Sequence, residues 1–105
     1  MTYMDIIDAI EQQTDLPATY GEFKSSVSPP FVVLRVPEID DVHADNANYI
    51  RIEDIFVELY TDTKHPPTEQ KVEQVLDDLR LSYDRNEVHI EEESMYLNRY
   101  SLQII

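Results

Sequence analysis

The sequence predicts an α+β domain: a mostly antiparallel sheet of about four to five strands with two helices packed on it, in the order α-β-β-α-β-β. Three observations carry this. Two segments repeat apolar residues at three- and four-residue spacing. Three runs are rich in β-branched and aromatic residues. Prolines and Asn/Asp clusters separate these segments. At 105 residues the chain is read as one domain, 1–105, without repeats or a linker.

Helix one is expected over residues 2–14, in TYMDIIDAIEQQTDL. Met4, Ile7, Ile10 and Leu16 fall near one helical face, with Ile6 beside them, and Asp5, Asp8 and Glu11 lie largely opposite. Thr2 is the expected N-cap, with Asp5 at the capping-box spacing, and Pro17 ends the segment. ATYGEFKSSVSPP then reads as a loop with a brief strand at Ala18–Tyr20, where Gly21 supplies a positive φ. PFVVLRV is a strand by its composition. Its near-continuous apolar run predicts an internal strand covered on both faces, bounded by Pro30 and Pro37.

PEIDDVHADNAN is the longest loop. It is acidic, and its isolated apolar residues Ile39 and Val42 point to a contact surface. A long strand follows over residues 48–61. Ile50, Ile52, Asp54, Phe56, Glu58 and Tyr60 share one side of it, and Tyr49, Arg51, Glu53, Ile55, Val57 and Leu59 the other. The apolar side changes near Asp54–Ile55, which predicts a bulge or a bend there. TDTKHPPTEQ is a turn, and Thr68 or Pro67 opens helix two. Val72, Val75, Leu76 and Leu79 form its apolar stripe, and Glu69, Glu73, Asp77 and Asp78 its solvent side. LSYDRNEVHIEEES reads as two short strands or a strand and a turn, with Asp84–Asn86 as the turn. MYLNRYSLQII is the last strand, in which Tyr96, Tyr100, Leu102 and Ile104 alternate with more polar positions.

The charge balance narrows the function. Twenty-two acids face eight bases, a formal charge of −14. A free-standing nucleic-acid binder needs a basic face to displace counterions from phosphates, and this composition hardly builds one. An anionic membrane surface repels such a chain, and no apolar run reaches the length of a membrane span. The start, MTYMDIIDAI, is expected to be an acidic amphipathic helix and not a secretion signal.

Chemistry-bearing patterns are weak. With no cysteine there is no disulfide or thiolate zinc site. His43, His65 and His89 have no second His at metal-ligand spacing, so no metal is expected. DDVHADNAN lacks the central glycine and terminal glutamate of a calcium loop. SSVS lacks the glycine-flanked elbow that exposes a nucleophilic serine, and a single glycine builds no phosphate-cradling loop. With 22 acids, a carboxylate pair at glycosidase spacing carries no information. The expectation is a non-enzymatic protein without cofactors.

Five stretches, taken in order, carry a resemblance: Tyr20–Phe23 (Tyr-Gly-x-Phe), Pro29–Phe31 (Pro-Pro-aromatic), Ala44–Tyr49 (Ala-Asp-Asn-x-x-Tyr), Glu58–Thr61 (Glu-Leu-Tyr-Thr) and Tyr96–Tyr100 (Tyr-x-x-x-Tyr). Together they resemble a small protein of the head–tail gene cluster of tailed bacteriophages and prophages of Gram-positive bacteria. The resemblance implies a structural role in the neck or in tail completion. Its nearest analogues are the tail terminators, or tail-to-head joining proteins, small α+β domains that form a hexameric ring on the end of the tail tube. The implied partners are further copies of the chain, the tail tube protein and a head-completion protein. The implied location is the virion neck or tail, and the bacterial host cytoplasm during assembly. An acidic lumen would let DNA pass without trapping it. A ring needs head-to-tail surfaces, and the expected contact residues are Val42, His43, Asp45, Asn46 and Tyr49. Like charges on neighbouring subunits oppose assembly at low salt, so a monomer before assembly is compatible with this reading. The alternatives are an acidic DNA mimic that inhibits a nucleic-acid-binding protein, and another neck adaptor or head-closure component.

Overall fold

The computed structural model describes residues 1–36 and 53–104. Along the chain run α1 (Tyr3–Thr14), β1 (Ala18–Tyr20), β2 (Phe31–Arg35), β3 (Glu53–Thr61), α2 (Pro66–Asp78), β4 (Tyr83–Ile90), a 3-10 turn at Glu91–Glu93, and β5 (Met95–Ile104). The five strands form one sheet in the order β1-β2-β3-β5-β4. Every pairing is antiparallel except β1 with β2, which is parallel. The class is the expected α+β, with two helices and five strands. The element order differs by one strand, because Ala18–Tyr20 is a full member of the sheet. Residues 21–30 carry the chain back to its starting end, so β1 and β2 run the same way. Gly21 sits at φ 81°, and its N–H bonds the Leu34 carbonyl at 2.8 Å, which holds the exit from β1 against β2.

Each helix is delimited locally. Thr2 caps α1, and its N–H donates to Asp5 Oδ2 at 2.8 Å. The helix ends where Asp15 turns left-handed at φ 61°. Ile6, Ile7 and Ile10 are buried, whereas Met4 is exposed, so the inward stripe lies beside the expected one. α2 begins before the expected Thr68 or Pro67. His65 is its N-cap, Pro66 and Pro67 form the first turn, and the Thr68 N–H donates to His65 Nδ1 at 3.3 Å. Prolines suit these positions because first-turn N–H groups have no partner within the helix. At the far end Arg80 is left-handed at φ 60°. Its N–H bonds the Asp77 carbonyl, and the Leu81 N–H bonds the Leu76 carbonyl, a Schellman closure.

The core is one apolar layer between both helices and one face of the sheet. Ile6, Ile7 and Ile10 of α1 and Val72, Val75 and Leu76 of α2 meet alternate strand residues: Val32 and Leu34; Ile55, Val57 and Leu59; Tyr100, Leu102 and Ile104. Val33, on the opposite face of β2, is also buried, so the centre of that strand is covered on both sides as expected. Among the described residues no helix provides the second cover.

Three expectations are corrected. β3 pairs with β5 without interruption from Glu53↔Ile104 to Thr61↔Tyr96, so there is no bulge at Asp54–Ile55. From Asp54 onward the strand alternates regularly, and the residues before Glu53 lie outside the described residues. Asp84–Asn86 is not a turn. β4 is one unbroken strand paired to β5 over its whole length, and the reversal falls at Glu91–Ser94, where Ser94 takes φ 52°. Cross-strand pairing outweighs the turn preference of Asp and Asn. Glu69 is not on the solvent side. It is buried beneath α2.

Arg80 takes a left-handed conformation that a side chain makes unfavourable, although glycine also loosens the unfolded chain. Arg80→Gly is expected to stabilise the protein by about 0.5–1 kcal/mol, read as a raised denaturant midpoint at unchanged slope.

Candidate functional site

The sheet face turned away from the helices carries the most organised group of polar side chains. Cross-strand register builds it. Glu58 on β3 lies opposite Val33 on β2 and Arg99 on β5. Arg35 lies opposite Phe56, and Phe31 opposite Tyr60. Every one of these side chains belongs to the face that the apolar helix-side residues leave by alternation.

Glu58 is 1% exposed although no helix among the described residues covers it. Its Oε1 accepts from Arg35 Nε at 2.6 Å and from the Tyr60 hydroxyl at 3.3 Å. Its Oε2 accepts from Arg99 Nε at 2.9 Å and lies 2.8 Å from Arg99 Nη2, a two-toothed contact. The two guanidinium side chains are 45% and 37% exposed. Arg99 also lies over the Phe56 ring, 5.0 Å from its centroid. Phe31 stacks on Tyr60 at 5.1 Å, and Phe23 meets Phe31 edge-on at 5.5 Å. Burial works against the Arg35 charge, but the hydrogen bond to Glu58 and the Glu58 charge, helped by Tyr60, together outweigh it and hold the guanidinium above its ordinary range. Burial, reinforced by the Glu58 charge, pushes the Tyr60 hydroxyl up.

Both oxygens of the Glu58 carboxylate are engaged by hydrogen bonds from its own chain. The face presents two half-exposed guanidiniums among aromatic rings, carrying one positive charge more than the carboxylate between them.

A second cluster lies on the helix side, where α2 crosses β4 and β5. Buried Glu69 accepts from Arg85 at Oε1 and from Lys64 Nζ at 2.9 Å, also at Oε1. Lys64 Nζ lies 2.8 Å from Oε2 as well, a charge contact without a well-angled hydrogen bond. Arg85 also donates to Asn98 Oδ1 at 3.1 Å through Nη2 and at 3.2 Å through Nε. Lys64 reaches on to Glu87. The Tyr100 hydroxyl donates to Glu73 Oε2 at 3.0 Å, and burial followed by that hydrogen bond raises its ionisation far above the ordinary tyrosine range. The network ties helix, turn and edge strand together.

The expected contact residues Val42, His43, Asp45, Asn46 and Tyr49 lie outside the described residues. The residues that bound their segment, Val36 and Glu53, follow and precede paired strand residues at one end of the sheet, next to the Arg35–Phe56 pair. Neither Glu58 nor Glu69 was picked out from the sequence. Both had a signal. Glu58 interrupts an apolar run on a β-rich segment, and Glu69 occupies the position three residues before Val72 on the buried stripe of α2. A charge at an inward position predicts a partner for it.

Among the described residues no group of three or more His, Cys, Asp or Glu side chains could hold a metal ion. No helix among them is long and apolar enough to cross a membrane. Neither the protein-family models nor the curated proteins compared with the chain give a match.

Removing both counter-charges from Glu58 leaves a buried carboxylate alone. Arg35→Met with Arg99→Met is expected to cost about 3–5 kcal/mol at neutral pH, and adding Glu58→Gln should recover most of it. Urea unfolding of the native chain, the double variant and the triple variant at neutral pH reads both effects. For the exposed Lys64–Glu87 pair, the Lys64 hydrogen bond holds Glu87 below its ordinary 4.5. That contribution is present above the ordinary carboxylate range and is lost as pH falls through the lowered value. The Tm difference between the native chain and Glu87→Gln should therefore be largest near neutrality and vanish in acid, as thermal melts against pH would record.

Proposed function

We propose that the chain is a non-enzymatic structural protein of phage or prophage tail assembly, of the tail-terminator or tail-to-head joining type. The observation that carries this reading is the ordered set of residue patterns along the chain: Tyr20–Phe23, Pro29–Phe31, Ala44–Tyr49, Glu58–Thr61 and Tyr96–Tyr100. Several of these residues hold positions on which the fold depends. Gly21 takes the left-handed turn, Glu58 is the buried partner of two arginines, and Tyr60 supports Glu58. A protein that works by shape and contact needs such positions and no reactive group.

The charge supports the same reading. A ring on a DNA conduit gains from a surface that does not hold the passing duplex, and a −14 chain supplies one. In this reading the chain joins the tail tube protein on one side and a head-completion protein on the other. Val42, His43, Asp45, Asn46 and Tyr49 supply subunit contacts.

Light scattering over a range of protein concentrations, at low and high salt, tests the ring. A hexamer, or growth toward one as salt screens the acidic surfaces, is the expected result. Binding to purified tail tubes is the second arm, with Val42→Ala and Tyr49→Ala expected to weaken it. Tubes that the native chain neither binds nor terminates would overturn the reading. Unchanged assembly in both variants would overturn the contact assignment.

A further inference from the structure

We infer that the outer edge of β4 pairs with the same edge of a second copy, as an antiparallel two-fold contact centred on Asn86. The inference does not rest on the tail reading. It starts from the sheet order, which among the described residues leaves β1 and β4 as the terminal strands. β1 is three residues long, a short edge of the kind that discourages pairing. β4 is eight residues long and pairs with β5 at every position without a bulge. Its sequence, YDRNEVHI, contains no proline and no lysine. Its outer N–H and C=O groups therefore form a template about 27 Å long, which carries charged side chains but neither the proline nor the bulge that would break an edge.

Charge complementarity selects the partner and the register. Residues facing each other across an antiparallel pair must lie on the same sheet face, so permissible registers differ by steps of two. Centring on Asn86 sets Arg85 opposite Glu87 of the second copy, twice over by symmetry, and Tyr83 opposite His89. Moving the centre one residue either way sets Arg85 against Arg85 or Glu87 against Glu87, which costs affinity. Both charged side chains are accessible on the helix face, at 38% and 40% exposure. Each is already steadied within its own chain, Arg85 by Glu69 and Asn98, and Glu87 by Lys64. Less ordering is therefore left for binding.

The cysteine-free chain allows a direct test. Residues opposite each other in antiparallel strands have Cα atoms about 4.5–5.5 Å apart, within the span of roughly 4.4–6.8 Å that a disulfide bridges. Asn86→Cys should therefore link to itself under mild oxidation, roughly tenfold faster than Val88→Cys, whose two copies would stand about 13 Å apart along the strands. Asp84→Cys mixed with Val88→Cys should give the mixed dimer, since those positions face each other in this register. These three positions are exposed, so the substitutions leave the core untouched. Circular dichroism of each variant checks that the fold is kept. Selective linkage of Asn86→Cys and of the mixed pair establishes the contact. Linkage of Val88→Cys as fast as Asn86→Cys, or no linkage at concentrations where the native chain self-associates, would overturn it. A hexamer by light scattering without this linkage would leave the ring standing and remove the edge contact.

Discussion

The pairing of β3 with β5 is the constraint on which the rest of the structure depends. Nine consecutive residues of β3 face partners on β5, across a separation of about half the chain. Because strand side chains alternate, that one register decides which residues see the helices and which do not. A slip by a single residue would turn Ile55, Val57 and Leu59 outward and drive Phe56, Glu58 and Tyr60 under the helices. The apolar layer and the charged face are therefore two outcomes of one pairing.

That division determines how the chain handles its charge. Glu58 and Glu69 are buried on opposite sides of the sheet, and each is engaged by two cationic side chains. Arg35, Arg99, Lys64 and Arg85 are half of the eight basic residues in the sequence. With those cations turned toward internal carboxylates, little positive charge is left to balance the exposed acids. The strongly acidic surface follows partly from this arrangement, beyond the raw excess of Asp and Glu. It also explains why the face with two half-exposed guanidiniums stands out against its surroundings.

The proposed joining role is compatible with such a body. The helix-covered side gives rigidity, and the other face presents half-exposed guanidiniums beside aromatic rings. The edge of β4 is held to the body through the Arg85–Glu69 and Lys64–Glu87 contacts, so a strand added there would meet a preset surface. None of these features calls for a reacting group. Their chemistry is that of contact, with charge limiting what the surface adheres to.

Much of the secondary structure was legible in the sequence, because it depends on neighbours. The spacing of Val72, Val75 and Leu76 specified the inner face of α2, Thr2 with Asp5 marked the start of α1, and alternation from Tyr96 to Ile104 specified β5. The buried glutamates were not legible, because what makes a carboxylate tolerable in the interior is a partner far along the chain. Arg35 lies 23 residues from Glu58, and Arg99 lies 41. The continuity of β4 through Asp84–Asn86 was likewise set by pairing with β5 against local turn preference. The expected contact residues were drawn from the loop's apolar residues and from the resemblance, and they fall outside the described segments. The guanidinium–aromatic face came from strand register, which no single segment contains. Composition determined the acidic character and the lack of thiol chemistry, and the spacing of apolar residues determined the α+β class. Tertiary structure decided which charges are buried, which side chains share a face and which strands end the sheet among the described residues, since each of these is a relation between segments that meet only on folding.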